Sequence, residues 1–128
     1  MRRRHDDGAA VVDFVLVSVL VLALFLLVFQ VGLVLHVRNV LISSAAEGAR
    51  YAAAADRSPA DGADRARAAV TEALSRKVAD RLTYSATTTS VGGAPVVEVT
   101  VRGPLPVVFL AAGPLSITVH GHALEEGP

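Results

Sequence analysis

The sequence predicts an α+β protein, in which a long N-terminal transmembrane helix continues into a small exterior domain of one helix packed on a three-stranded antiparallel sheet. Three observations support this fold class. Residues 14–35 contain no charged side chain, residues 58–82 carry apolar side chains at helical spacing, and the pattern after Leu82 alternates with a period of two.

The uncharged run is long enough to cross a bilayer as a helix. At about 1.5 Å per residue, its 22 residues span roughly 33 Å, which is close to the hydrocarbon thickness. Three arginines precede the run and only Arg38 follows it closely, which predicts a cytoplasmic N-terminus and an exterior C-terminal part. Removal of the run by signal peptidase at residues 44–46 is disfavoured, because that stretch lies too far beyond the run.

The helix is predicted to continue beyond the membrane to residue 55, because residues 36–55 lack proline and are rich in good helix formers. Small residues recur every four positions at Ser44, Gly48 and Ala52, with a second such row one residue later. This spacing allows another helix backbone to approach closely, although an alanine-rich composition alone is the alternative explanation. Gly32 is likewise a candidate for packing against a helix rather than lipid.

The start of the exterior domain carries a helix signature. Ser58, Pro59 and Asp61 match an N-cap, a first helical position and the acid of a capping box. One helix is then predicted to run to about Leu82, with an apolar stripe at Val70, Leu74, Val78 and Leu82. The charged residues of this helix are predicted to form a solvated face: Arg65, Glu72, Arg76, Lys77 and Asp80.

Three strands are predicted after this helix. Alternation from Leu82 onward, the Gly92 and Gly93 turn and a second alternating run predict a hairpin with one buried and one wet face. The buried residues of the second strand are predicted to be Val97, Val99 and Val101, and those of the third are Leu115, Ile117 and Val119. Residues 105–112 are predicted to be a short helix or a loop that dips into a surface, and residues 125–128 a free tail.

Composition argues against several functions. The net charge of zero gives no electrostatic basis for binding nucleic acid. Without cysteine, the domain must be held by packing, by its anchor or by partner subunits. No HExxH, GxSxG or phosphate-binding glycine loop occurs, so neither enzyme activity nor a cofactor is expected. His120 and His122 share one face of the third strand; this pattern usually forms polar surface, and a metal-dependent enzyme is the remote alternative.

An acidic residue directly precedes the uncharged run, five residues after a glycine. Gly8 is followed by four small or apolar residues and then by Asp13 and Phe14. A carboxylate beside hydrocarbon is costly unless it is paired, and helix capping explains the two acids before Gly8 better than it explains Asp13. A cut after Gly8 would create a partner, because the new amine of Ala9 lies about one helical turn from Asp13.

This arrangement resembles the prepilin pattern, in which a short basic leader ends in glycine and the mature chain carries an acid at its fifth position, then Phe and a retained apolar helix. The downstream segment resembles the Ala-x-x-Gly-Ala-Arg-Tyr-Ala signature of TadE-like proteins, the minor pseudopilins of Tad (tight adherence) pilus systems. The matching residues are Asn39, Ala46, Gly48, Ala49, Arg50 and Tyr51. One departure is Asp13, which stands where the family usually has Glu.

The resemblance implies a minor pseudopilin of the bacterial cytoplasmic membrane that acts in the assembly of Tad/Flp-type pili through helix packing and protein–protein contacts. It implies a leader of residues 1–8 removed by a prepilin peptidase, a helix over residues 9–55 and an extracytoplasmic domain over residues 56–128. The implied partners are membrane lipid, other pilins or pseudopilins and the Tad assembly-platform proteins. The alternative is an uncleaved, signal-anchored surface adhesin or envelope scaffold.

Two sets of site residues follow. Processing is expected to involve Gly8, Ala9, Asp13 and Phe14, with Asp13 implied to pair with the amine of Ala9 in its own or a neighbouring subunit. Helix packing or partner contact is expected at Gly32, Ser44, Gly48, Ala52, Glu47, Arg50 and Tyr51. Glu47 and Arg50 lie three apart and can pair on one helix face for about 0.2–0.5 kcal/mol. Arg50 can instead lie near lipid phosphates or cap its helix.

Overall fold

The computed structural model describes residues 3–54, 56–105 and 115–126, with side chains from residue 6 onward. Within these residues the chain forms three helices and three strands. In chain order they are α1 (Arg3–Ala53), α2 (Pro59–Ala73), α3 (Arg76–Asp80), β1 (Thr83–Val91), β2 (Ala94–Pro104) and β3 (Ser116–Leu124). The long apolar helix and the three-stranded sheet confirm the predicted α+β class.

The first helix is continuous from the apolar run into the small α+β domain. Its 51 residues extend about 76 Å at the usual helical rise. The core of the domain draws on the second half of this helix, where Val37 and Leu41 are buried together with the alanines that follow. Because no break separates the two halves, the apolar run and the domain share one continuous helix.

The second helix begins as the sequence predicts. Ser58 is the N-cap in an extended conformation, Pro59 is the first helical residue, and the hydroxyl of Ser58 accepts a hydrogen bond from the backbone N–H of Asp61. In return the Ser58 N–H donates to the Asp61 carboxylate at 2.7 Å, which completes the capping box. Two of the otherwise unsatisfied N–H groups near the start of the helix thereby gain partners.

The capping box makes the start of α2 sensitive to acid. The hydrogen bonds from Ser58 hold the pKa of the Asp61 carboxyl below its ordinary value. A carboxyl with a depressed folded-state pKa contributes stability that is complete above the unfolded-state pKa and is lost as the pH falls through the folded-state pKa. We therefore expect the thermal midpoint to fall with acidification below about pH 3.9, and Asp61→Asn to flatten that dependence.

The matched control for this prediction is Asp64→Asn, which removes the same charge from the same helix three residues later. The structure records no hydrogen bond for the Asp64 side chain among the described residues. Thermal melts of both variants across the acid range make the comparison. Equal flattening in the two variants would show that general charge, rather than the capping box, sets the acid dependence.

The predicted single helix to Leu82 is wrong in one respect, because the chain breaks at Leu74 and Ser75 and restarts as α3. Ser75 takes an extended conformation and its hydroxyl accepts from the N–H of Val78 at 3.1 Å, so it caps a new helix. Serine hydroxyls compete in this way with helix continuation. The predicted apolar stripe survives the break, since Val70 and Leu82 are buried and the two residues between them pack against the same core.

The sheet is an antiparallel meander in the order β1-β2-β3. Gly92 and Gly93 form the predicted hairpin turn with φ angles of 60° and 85°, a left-handed conformation that glycine adopts without strain. The predicted burial of Val97, Val99 and Val101 on β2 is confirmed, but the strict alternation is wrong at Val96, which is buried as well. On β3 Val119 is buried as predicted, whereas Leu115 lies before the strand and is 44% exposed. On β1 the side chain of Tyr84 turns inward, donates to the carbonyl of Ala79 at 3.1 Å, and has its pKa raised by burial.

The C-terminal end of the sheet is tied to the rest of the domain. The backbone N–H groups of Glu125 and Glu126 donate to the carbonyls of Pro95 and Ala53, so these two residues are not the free tail that was predicted. A bond of 2.8 Å from the Leu105 N–H to the Leu115 carbonyl joins the ends of the β2–β3 connection. The predicted short helix or dipping loop lies, beyond Leu105, outside the described residues, as do residues 127 and 128.

Candidate assembly site

The predicted processing segment lies on the exposed start of α1. Gly8, Ala9 and Asp13 are exposed, and Phe14 is 73% exposed. A methyl group built on Gly8 would meet no atom within 4 Å. No described part of the exterior domain covers this segment, so it is open to a processing enzyme or to a neighbouring helix.

The first half of α1 presents a long apolar surface. From Val11 to Val31 every large apolar side chain except Leu26 is recorded as more than half exposed, and none of the most apolar 18-residue window is buried. Phe25 and Phe29 stack on this surface with ring centroids 6.4 Å apart. Such a surface is unfavourable in water and suits lipid or partner helices.

The row of small residues at Ser44, Gly48 and Ala52 packs against α2 of the same chain. A methyl group on Gly48 would lie 2.9 Å from the Cβ of Ala66 and closer still to the carbonyl oxygen of Gly62. A methyl group on Gly62 would lie 2.6 Å from the Cβ of Ala52. The backbones of the two helices therefore lie almost in contact. The helix that packs against these small residues is α2 of the same chain.

The second row, at Ala45, Ala49 and Ala53, is buried, and its two ends meet β3 and the residues after it. Gly121 lies so close that a methyl group there would overlap the backbone of Ala45 and the next residue. The carbonyl of Ala53 accepts from the N–H of Glu126. Neighbouring faces of α1 thus hold α2 and the sheet at the same time, which explains why the sequence needs small residues in both rows.

Gly32 differs from Gly48 in that nothing in the described structure approaches it. It is exposed, and no atom lies within 4 Å of a methyl group built on it. Gln30, two residues earlier, is only 3% exposed although it lies in the apolar run. The helix is therefore covered at Gln30, whereas the position of Gly32 stays open.

Glu47 pairs with Arg65 of α2 rather than with Arg50, so the predicted pair within α1 is not the one that forms. The Arg65 guanidinium donates two bonds to one Glu47 oxygen, at 2.5 and 2.9 Å. Both side chains are more than 40% exposed, and a pair of this kind contributes about 0.2–1 kcal/mol. Arg50 is exposed and donates to the carbonyl of Ala46 at 3.3 Å, one helical turn back.

Tyr51 lies where α1 ends and the chain turns toward α2. The guanidinium of Arg57 stacks over the ring at 4.4 Å from its centroid and donates to the hydroxyl at 2.5 Å. Arg57 and Arg65 were not predicted as contacts of this site, because only the docking of α2 brings them to Glu47 and Tyr51. Among the signature residues, Gly48 packs against α2 and Tyr51 contacts the chain that leads into α2, whereas Arg50 bonds only within α1.

The outer face of the sheet carries a polar cluster that the sequence did not predict. Nε2 of His122 lies 2.6 Å from one Glu98 oxygen, and Nδ1 of His120 lies 3.6 Å from the other oxygen and 3.0 Å from the Thr100 hydroxyl. The strand register that pairs Glu98 with His122 is the signal that could have revealed it. Across the described ranges, no group of three or more His, Cys, Asp or Glu side chains is arranged to hold a metal ion.

Within its described residues the protein has one helix that is long and apolar enough to span a membrane, and a small α+β domain built on the continuation of that helix. The family model of TadE-like proteins matches residues 8–50, from the predicted cleavage site to Arg50, which lies within the segment of the small-residue rows. This match covers about a third of the chain and confirms the resemblance to TadE-like proteins over that segment. No curated protein and no solved structure matches the chain significantly.

Proposed function

We propose that the protein is a minor pseudopilin that acts in the assembly of Tad-type pili through contacts of its helix with other subunits in the membrane, without catalysing a reaction. The observation that carries this proposal is the exposed first half of α1, which combines the Gly8–Asp13 arrangement with an apolar surface that the described part of the chain leaves uncovered. The family match over residues 8–50 supports it.

Asp13 is the residue that would control assembly. After cleavage at Gly8, the amine of Ala9 would start the helix, and side chains on a helix lean toward its N-terminus. The Asp13 carboxylate therefore leans toward the level of that amine, in its own chain or in a neighbour placed alongside. A charge in apolar surroundings is unfavourable until it is paired, so this pairing would set the relative height of packed helices.

The open position of Gly32 marks the face on which a partner helix fits best in the membrane half. Glycine allows close approach of backbones in lipid, and the small residues further along the helix are already covered by α2 or the sheet. Beyond the membrane, the exposed Arg50 offers a partner contact beside the α1–α2 junction. We assign these contacts to other pilins or pseudopilins and to the Tad assembly platform.

The proposed setting is a bacterial cytoplasmic membrane, crossed once, with the N-terminus cytoplasmic and the α+β domain outside. The arginines at the start of the chain support this direction. In this orientation Gly8 lies at the cytoplasmic boundary, where a prepilin peptidase would cut and leave the apolar helix in place.

N-terminal processing tests the proposal directly. We expect the mature protein, purified from cells that contain the prepilin peptidase, to begin at Ala9, as read by N-terminal sequencing and intact mass. Gly8→Leu should block the cut. The position of Gly8 is open in the structure, so the added side chain would obstruct the peptidase without disturbing this chain. The matched control Gly32→Leu places the same side chain at an equally open glycine and should leave the cut unchanged. Recovery of an intact Met1 from unaltered protein would favour the uncleaved, signal-anchored surface module instead.

A further inference from the structure

Five exposed cations lie at the end of the exterior domain that faces the apolar run. We call them the basic collar; its members are Arg38, Arg76, Lys77, Arg81 and Arg102. They come from α1, α3, the residue after α3 and β2, so no stretch of sequence displays them as a group. Their common height on the molecule follows from two independent sets of contacts.

The first set concerns α2, which runs antiparallel to α1. Gly62, near the start of α2, lies against Gly48. Ala73, at the end of α2, lines the same open groove as His36 and Asn39. The chain therefore descends along α2 toward the end of the apolar run, and α3 starts at that level with Arg76 and Lys77 on its exposed surface.

The second set concerns the sheet. Gly121 lies on Ala45 and the N–H of Glu126 bonds to Ala53, so β3 runs in the same direction as α1. Ile117 precedes Gly121 by four residues, or about 13 Å of strand, which corresponds to about nine residues of helix before Ala45. Ile117 therefore lies near the level at which the apolar run ends.

Two members of the collar are tied to that same level. Gly103 pairs with Ile117 in the sheet, and a methyl group on Gly103 would lie 3.2 Å from the carbonyl oxygen of Arg81. Arg102 is the neighbour of Gly103 and directs its side chain to the outer face, where it donates to the Thr118 hydroxyl. Arg81 and Arg102 therefore lie near the level at which the apolar run ends.

Along the direction of α1, the acidic and basic side chains of the C-terminal part are separated from each other. Residues 36–128 carry nine Lys or Arg and nine Asp or Glu, so this part is neutral as a whole. Arg67 and Asp80 pair with each other near the collar at 2.6 Å, which leaves Glu72 as the other acid on that side. The acids that remain lie toward the middle and the far end of the domain: Glu47, Asp56, Asp61, Asp64, Glu98, Glu125 and Glu126.

We propose that the basic collar binds the phosphates of anionic phospholipids in the leaflet from which the domain emerges. The continuous helix fixes the collar at the height where headgroups lie, and long Arg and Lys side chains reach toward them with little rearrangement. Clustered cations at this height attract anionic lipid strongly, and the effect is screened by salt. The proposal rests on the insertion of α1 in a membrane and not on the pseudopilin role, so either can fail without the other.

Local lipid composition around the full-length chain tests the proposal. The chain has no cysteine, so Ser116→Cys introduces a single site for a donor dye on the membrane side of β3. The protein is reconstituted in phosphatidylcholine liposomes that contain a minor fraction of phosphatidylglycerol, with acceptor dye on the acyl chain of one lipid or the other. We expect the local density of acceptor to be about threefold or more higher for phosphatidylglycerol, and to fall as salt is raised.

A pair of charge-matched variants makes the test specific to the collar. Arg76→Gln/Lys77→Gln/Arg81→Gln should reduce the lipid preference to near unity, whereas the control changes three cations away from the membrane: Arg50→Gln/Arg57→Gln/Arg65→Gln. Both variants remove three positive charges from exposed positions, and thermal melts verify that both stay folded. A donor at Ser90→Cys, on the far end of β1, should transfer little energy to either lipid.

Equal transfer to the two lipids in the unaltered chain would overturn the proposal, and would leave an acidic surface on a partner subunit as the better ligand for the collar. A preference that survives loss of the collar but disappears in the control variant would overturn it as well. Transfer to neither lipid from Ser116→Cys would show that the helix is not inserted, which removes the premise while leaving the processing experiment to decide the pseudopilin role.

Discussion

Replacing Gly121 by alanine is expected to destabilise the exterior domain by about 3 kcal/mol, near the upper end of the usual cost of overpacking. The added methyl group would overlap backbone atoms of Ala45 and Ala46 on α1, and backbone cannot turn aside as a flexible side chain can. The strand would have to move away from the helix along the whole contact. That movement would open the core around Val99 and Val119, which are buried beside it.

The matched control for Gly121→Ala is Gly32→Ala, which adds the same methyl group where nothing lies within 4 Å. In a helix interior this change is expected to be neutral or stabilising by up to about 1 kcal/mol. Hydrogen exchange of the β2 amides is a better measurement than helical circular dichroism. The long helix α1 dominates the dichroism signal, and its apolar first half does not report on the domain. Unchanged protection of β2 in Gly121→Ala would show that the strand does not sit as close to α1 as the structure places it.

The elements of the fold could be predicted because each is encoded in local sequence. The uncharged run gives the membrane helix, the spacing of Val70 and the stripe that follows it gives a helix face, and alternation around Val99 gives a half-buried strand. The break at Ser75 was missed, because a serine within a helical pattern signals a cap only when the chain also has to turn. That turn is required by the path from α2 to β1.

The residues of the candidate site could likewise be predicted only where local sequence determines them. The processing segment depends on consecutive residues, from Gly8 to Phe14, and a linear motif can be recognised without knowledge of the fold. The contacts of Glu47 and Tyr51 depend on where α2 docks, so their partners could not be predicted from spacing within α1. Gly121 carried no signal at all, since a glycine between two histidines gives no indication that a helix backbone lies against it.

Small residues therefore have two different uses along one helix. At Gly48 and Ala45 they let α2 and the sheet close on α1, and substitutions there are expected to unfold the domain. At Gly32 the same residue type is open, so a larger side chain should leave the domain intact and affect only association. Mutational data on this protein can be interpreted only if these two classes are kept apart.

Asp13→Ala is expected to weaken assembly strongly while leaving the α+β domain folded. The substitution removes the proposed partner of the Ala9 amine, and loss of one member of a charge pair in apolar surroundings leaves the other uncompensated. We expect co-purification of other pilins or pseudopilins from membranes to fall by about tenfold or more, which corresponds to at least about 1.4 kcal/mol of lost association energy. Intact mass of the same samples separates a failure of cleavage from a failure of packing.

Two further variants decide whether the position or the charge matters. Asp13→Glu restores the acid that the family usually carries and should retain assembly, because the longer side chain reaches the same amine. Asp7→Ala removes one negative charge from the leader, which is lost on cleavage, and should leave assembly of the mature chain unchanged. If Asp13→Ala chains were cleaved and still associated as the unaltered protein does, helix register would have to be set elsewhere, with the open face at Gly32 as the remaining determinant on this chain.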